Sequence, residues 1–255
     1  MWGAAMVALA ALVTGCGSSS SPSSSGSAAS GPASPTGSAP PRTADGTTSE
    51  AGPAALLAIH IPTTLEDLVV CRREYAPRIE VEPTMSTAPR PFTLTAALAA
   101  QQSLVAAIVD GARAVGSAGP LPGGAGLGQE TPGARFLNLS RLLRADAVRA
   151  FEERDDEGAV ARLEASFRIG GYLMAQDDHD LRFRGGQVVT PTMFDLDALR
   201  KAGFVDRLDA AAAGRLAAAI QAIDLSRNIV PWDPSTAAGK AFTAIVAALE
   251  ARSHR

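Results

Sequence analysis

The sequence lacks a hydrophobic run long enough to cross a membrane, and it is poor in cysteine and aromatic residues. The apolar stretch near its start, Ala4 to Val13, falls well short of the roughly 20 residues that a membrane-spanning helix needs. Two of the 255 residues are cysteine and 5% are aromatic, and the formal net charge is −3. No basic block is interleaved with aromatic residues, so nucleic acid is not predicted as a partner.

Common catalytic motifs are also missing from the sequence. There is no Gly-x-Ser-x-Gly elbow and no His-Glu-x-x-His pair, and the glycine-rich stretch from residue 116 to 133 does not end in the Gly-Lys-Ser/Thr of a phosphate-binding loop. No cofactor is therefore predicted. A site assembled from distant positions stays open. Its candidates would be serines or carboxylates on predicted helices: Ser103, Ser140, Ser166, Asp110, Glu164 and Asp206.

What is present near the start is a short apolar segment that ends in Val13-Thr14-Gly15-Cys16 and is followed by serines. This order resembles a bacterial lipoprotein signal, although Met1 to Cys16 contains no Lys or Arg, with which such signals normally start. The resemblance implies that residues 1–15 are removed and that Cys16 carries acyl chains, such as palmitate, which hold the protein to a membrane. The alternative is that Cys16 is an ordinary cysteine.

The resemblance also implies a location in the cell envelope, at the outer membrane or facing the periplasm in a Gram-negative cell. Residues 16–53 are almost entirely Ser, Gly, Pro, Ala and Thr, which predicts a disordered tether with a reach on the order of 35 Å. With Cys16 lipidated, Cys71 would have no disulfide partner. We interpret Cys71 as a buried small residue, the alternative being a reactive thiol.

Residues 54–255 are predicted to form one all-α domain, a bundle of about six helices. Apolar residues recur there at spacings of three and four, which places them on one face of a helix, and no strand pair is predicted. The expected helices are 63–75, 93–115, one from Pro132 to a break at Arg154, one from Asp155 or Asp156 to Met174, Thr192 to Lys201, Leu208 to Ile223, and a last one bearing Phe242, Ile245, Val246 and Leu249 on its inner face.

Cap residues followed by proline predict where three of these helices begin. The pairs are Thr131-Pro132, Thr190-Pro191 and Asp233-Pro234. The helices on either side of Arg154 are joined by so short a turn that they must pack antiparallel. Residues 134–176 resemble the helical hairpin of tetratricopeptide-type repeats, and this resemblance implies the hairpin geometry only.

The densest group of potential metal ligands or acid–base residues is Asp177-Asp178-His179-Asp180. Consecutive residues at a helix end point in different directions, so we interpret the run as a solvated helix end, with a metal or catalytic site as the alternative. The leading hypothesis is a membrane-anchored lipoprotein whose helical domain binds or scaffolds an envelope protein without chemistry of its own. The competing hypothesis is a metal-dependent or hydrolytic enzyme on an all-helical scaffold.

Overall fold

Every regular element in the described part of the chain is helical, which confirms the all-α prediction. The structure, a computed structural model, describes residues 51–62, 96–115, 121, 131–228 and 233–255. The predictions for residues 1–50, for Cys71 and for a helix at 63–75 lie outside these ranges. The elements are α1 (Ala51–Ala58), α2 (Gln102–Val115), α3 (Pro132–Glu152), α4 (Asp156–Ala175), α5 (His179–Lys201), α6 (Phe204–Arg207), α7 (Ala210–Gln221), a 3₁₀ turn (Leu225–Arg227) and α8 (Ala237–Ser253).

The described residues between Ala51 and Arg255 belong to one compact unit. The first described helix begins at Ala51, ahead of the predicted start of the domain at residue 54. Two predicted helix starts are confirmed in this unit. Thr131 caps α3 through its hydroxyl, with Pro132 in the first turn, and Asp155 caps α4 by accepting from the Gly158 amide.

The helix predicted over residues 93–115 is helical over most of its described part but is not continuous, because the chain turns at residues 100 and 101 and α2 begins at Gln102. A short helical turn at residues 96–99 precedes it. The Gln101 amide bonds to the carbonyl of Leu98, three residues back, and the Gln102 side chain donates to that same carbonyl at 2.8 Å. The side chain thus takes an acceptor position that a continuous helix would use, and the chain turns there.

The prediction that Thr190-Pro191 opens a helix is also wrong. Pro191 lies inside α5, which begins at His179 with Asp178 as its cap. A proline in a helix interior removes one backbone hydrogen bond and costs about 3 kcal/mol. Here the buried face of Val188, Val189 and Met193 holds the helix together through this point, and the predicted end near Lys201 is confirmed.

The start predicted for the last helix is displaced by three residues. Thr236 caps α8, whereas Asp233 accepts from the Ser235 amide in the turn before it. Proline after Asp233 is compatible with either a first helical turn or a tight turn, and the Thr236 hydroxyl is the side chain that reaches an N-terminal amide of α8, that of Gly239. The inner face is as predicted, with Ile245 and Leu249 buried.

Helices α3, α4 and α5 form consecutive antiparallel pairs. Ser140 and Asp146 of α3 meet Ser166 and Arg162 of α4, so one sequence number rises as the other falls. Thr192 of α5 meets the same Ser166. Helices α3 and α5 therefore run parallel to each other on one side of α4. None of the described helices combines the length and the hydropathy that crossing a bilayer requires.

The core consists of two groups of buried apolar side chains. One joins α1 and α2 to α3 and α4, and includes Leu56, Ile108 and Phe136. The other joins α4 and α5 to α6, α7 and α8, and includes Phe167 and Phe204. Helices α3, α4 and α5 each contribute side chains to both groups, for example Phe136 and Ala150 of α3, so these three helices unite the bundle.

Candidate functional site

The Asp177–Asp180 run lies at the turn between α4 and α5, and its carboxylates have separate partners. Asp178 caps α5 by accepting from the Leu181 amide at 2.9 Å. Asp177 accepts from Arg227 at 2.9 Å, and Asp180 lies 3.6 Å from the Nε of Arg184. All four residues of the run are exposed. Over the ranges that the structure describes, no group of three or more His, Cys, Asp and Glu residues could hold a metal ion.

In these contacts one carboxylate of the acidic run caps α5 and two others pair with arginines. Arg184 lies four residues after Asp180 on the same helix, whereas Arg227 comes from the 3₁₀ turn, 50 residues away from Asp177 in sequence. The Arg227 guanidinium also donates to the carbonyl of Gln176 at 3.3 Å. These bonds join the 3₁₀ turn to the start of α5. The carboxylate oxygens of the acidic run have separate partners and do not converge on one point.

The remaining carboxylate candidates from the sequence do not come together. Asp110 pairs with Arg113 on the surface of α2. Glu164 pairs with Arg168 of its own helix and lies 3.8 Å from Arg215 of α7. Asp206 is exposed on the short helix α6. Each therefore belongs to a different part of the bundle.

A buried polar cluster that the sequence analysis missed surrounds Asp146 of α3. We call Gln102, Asp146, Arg149 and Arg162 the Asp146 cluster. The Asp146 side chain is fully buried, and its Oδ1 accepts from the Nε of Arg149 at 2.6 Å and from the Gln102 amide at 3.2 Å. Its Oδ2 accepts from the Nε of Arg162, whose Nη2 donates to the Gln102 Oε1 at 2.9 Å.

The Asp146 cluster reaches the surface through two further carboxylates. Arg149 also donates to Glu153, and Arg162 lies 3.8 Å from Asp155. Burial alone would lower the pKa of Arg149, but hydrogen bonds and charge from Asp146 and Glu153 outweigh it and raise that pKa. The sequence signal that was available is the spacing of three residues between Asp146 and Arg149 on one predicted helix.

A second buried ion pair lies elsewhere on α3. The Nε of Arg144 donates to Asp195 of α5 at 2.5 Å, with 9% and 11% of the two side chains exposed. Burial raises the pKa of Asp195, and the neighbouring Arg144 charge offsets part of that rise. This pair joins the two parallel helices, α3 and α5.

Two of the serines singled out from the sequence belong to a buried chain of hydroxyl groups across α3, α4 and α5. Ser140 and Ser166 are 2.7 Å apart, and Ser166 and Thr192 are 2.9 Å apart. The Thr192 hydroxyl donates to the carbonyl of Val188 at 2.7 Å. Since that uses its single proton, Ser166 donates to Thr192 and Ser140 donates to Ser166.

The hydroxyl chain has the wrong connections for nucleophilic catalysis. An activated serine needs a general base within hydrogen-bond reach. Here the protons run in one direction and end at a helix carbonyl, so the groups satisfy one another inside the bundle. Their sequence signal is weak, because serine and threonine are common in helices and only the packing of three helices aligns them.

No protein-family model matches this chain, and no curated protein or solved structure matches it either.

Proposed function

We propose that this protein is a membrane-anchored lipoprotein whose helical domain binds or scaffolds a partner in the cell envelope without chemistry of its own. The way in which the buried charged side chains pair with one another supports a domain without chemistry of its own. Asp146 and Glu153 balance the charges of Arg149 and Arg162, and Asp195 pairs with Arg144. Catalytic sites commonly keep ionisable groups poised toward a cleft, whereas these groups join helices.

The anchor half of the proposal rests on Cys16 and the residues around it. An apolar segment too short to span a bilayer, a small residue before the cysteine and a polar stretch after it are the features that lipoprotein processing uses. Stable attachment by acyl chains requires more than one of them, because a single chain binds membranes only marginally. The proposal therefore places at least two acyl chains on Cys16.

The anchor is tested by replacing Cys16 with Ala in the full chain and growing cells with an alkyne-bearing palmitate. We expect the parent to be labelled and to sediment with membranes, and the Cys16→Ala variant to lose both properties. The matched control is Cys71→Ala, which we expect to keep both. Label and membrane attachment retained by Cys16→Ala would overturn the anchor.

The absence of metal chemistry is tested separately with the detergent-solubilised full chain. Melting is followed while Zn²⁺, Ca²⁺ or Mg²⁺ is added, because a ligand present at 100 times its Kd stabilises the folded state by about 2.7 kcal/mol. We expect no metal-specific rise in Tm. A rise for one metal that disappears in Asp178→Asn and persists in Asp110→Asn would favour the metal-dependent enzyme.

A further inference from the structure

We propose that α1 and α2 form a layer that opens from the bundle as one unit, and that Gln102 is the polar clasp that helps the shared apolar core to hold this layer closed. We call these two helices the N-terminal layer. The inference is independent of the lipid anchor, because it concerns only how the described helices are joined.

The two helices of the N-terminal layer are interlocked at two glycines. A Cβ atom on Gly52 would lie 2.8 Å from the backbone carbon of Ala114, and one on Gly111 would lie 2.7 Å from the Leu56 side chain. At Gly52 only glycine permits this approach, because the added atom would meet the backbone, whereas at Gly111 it would meet the end of a leucine side chain. Because each helix fills a notch in the other, they are expected to move together.

The order of the helices along the chain places both members of the N-terminal layer ahead of α3. Both α1 and α2 precede residue 116, so the layer is connected to α3 through one stretch of chain, which is rich in glycine and proline. The rest of the bundle keeps its own ties when the layer is absent. Those ties are the Arg144–Asp195 pair and the chain of hydroxyl groups through Ser166.

Gln102 connects the layer to a charge pair that does not depend on it. Its amide nitrogen donates to Asp146, and its amide oxygen accepts from Arg162. These two charged residues also bond directly to each other. In the closed state the side-chain amide of Gln102 satisfies buried polar groups of Asp146 and Arg162. In an open state water would satisfy these groups. Loss of the Gln102 amide should therefore raise the free energy of the closed state and not that of the open state, because unsatisfied buried polar groups are costly.

Native-state hydrogen exchange of the full chain, followed by mass spectrometry at low denaturant concentrations, tests whether the layer is separable. Regions that open locally exchange through events of lower free energy and weaker denaturant dependence than global unfolding. We expect this behaviour for the amides of α2, and global behaviour for those of α4. Identical free energies and denaturant dependence for α2 and α4 would overturn the proposal.

The role of Gln102 is tested with Gln102→Leu. We expect exchange of the α2 amides to rise on the order of tenfold, with that of the α4 amides unchanged. The matched control is Gln221→Leu, because Gln221 also joins two helices, donating to Glu250 of α8 at 2.7 Å. We expect this control to leave α2 unchanged. A rise shared equally by α2 and α4 in Gln102→Leu, or no rise in α2, would contradict the clasp.

Discussion

Arg144 and Asp195 form a charged hydrogen bond of 2.5 Å between two parallel helices, with about nine-tenths of each side chain buried. Two residues further along α5, the carboxylate of Asp197 pairs with Arg200 and Lys201. Burial raises the pKa of Asp195, whereas Asp197 also feels burial but has its pKa lowered by its two cationic neighbours. The same helix thus carries two aspartates whose protonation affects folding in opposite directions.

The first prediction concerns how Asp195 makes stability depend on pH. A raised pKa in the folded state contributes stability that is present below the ordinary pKa of aspartate and is lost as the pH rises through the raised value. Relative to Asp195→Asn, the parent should therefore lose free energy of unfolding as the pH increases through that window. Urea denaturation of both proteins at closely spaced pH values measures this difference.

Asp197→Asn serves as the control for this measurement, with the opposite sign. The lowered pKa of Asp197 contributes stability above the ordinary value, and this is lost as the pH falls through the lower folded-state value. The difference between the parent and Asp197→Asn should shrink as the pH falls through that range. Parallel pH profiles for the parent and Asp195→Asn would contradict the assignment.

The second prediction concerns Asp146, whose removal leaves two buried guanidinium groups without their shared carboxylate. Breaking a buried ion pair by deleting one partner costs about 3–5 kcal/mol, and we expect Asp146→Ala to lose that much free energy of unfolding. Asp146→Asn should lose less, because an amide oxygen still accepts hydrogen bonds. Chemical denaturation measures both changes.

Asp110→Ala is the surface counterpart, since Asp110 and Arg113 are 71% and 61% exposed. Exposed pairs contribute about 0.2–1 kcal/mol, so this variant should be close to the parent. Equal losses in Asp146→Ala and Asp110→Ala would show that the buried cluster has no special role in stability.

The third prediction uses the glycine at the closest approach of α4 and α5. A Cβ atom on Gly185 would lie 2.8 Å from the Met174 amide nitrogen and 2.9 Å from the Gly170 carbonyl oxygen, so two backbones would have to separate. We expect Gly185→Ala to lose about 1–3 kcal/mol of the free energy of unfolding, as is usual for overpacking.

In the control variant Gly214→Ala the new Cβ meets only the Ser253 side chain at 3.7 Å. That variant should gain about 0.5–1 kcal/mol from helix propensity. Thermal and urea unfolding measure the change in stability of both variants. A stabilised Gly185→Ala would contradict the close contact.

The fourth prediction concerns Arg154, which has a φ of 66° in the turn between α3 and α4. The amide of Asp155 bonds back to the carbonyl of Ala150 at 2.8 Å, the pattern of a helix end that favours glycine. We expect Arg154→Gly to stabilise the fold by up to about 1 kcal/mol through relief of backbone strain. Gly203, with φ of 85° after α5, offers the reverse test. Gly203→Ala should lose about 1 kcal/mol. A destabilised Arg154→Gly or a stabilised Gly203→Ala would contradict the backbone argument.

Helix boundaries were predictable from the sequence where no tertiary packing opposed the local capping signal. Thr131-Pro132 and Asp155 each cap the helix expected, because the side-chain oxygen reaches an amide in the first turn whatever the rest of the chain does. Thr190-Pro191 carries the same signal and is a helix interior. There the burial of Val188, Val189 and Met193 on α4 and its neighbours outweighs the cost of proline, and that burial depends on residues far away in sequence.

The sequence by itself determined that the domain is helical and which faces of its helices are apolar, because spacings of three and four residues fix these features locally. Only the tertiary structure decided which polar residues meet. Asp146 bonds to Arg162 and to Gln102, Arg144 bonds to Asp195, and Ser166 bonds to Ser140 and to Thr192. The partners in each of these bonds are 16 to 51 residues apart in sequence. No local pattern aligns them, since their contacts depend on the packing register of whole helices. The acidic run Asp177–Asp180 was conspicuous in sequence because its members are adjacent, and for the same reason its side chains diverge in space.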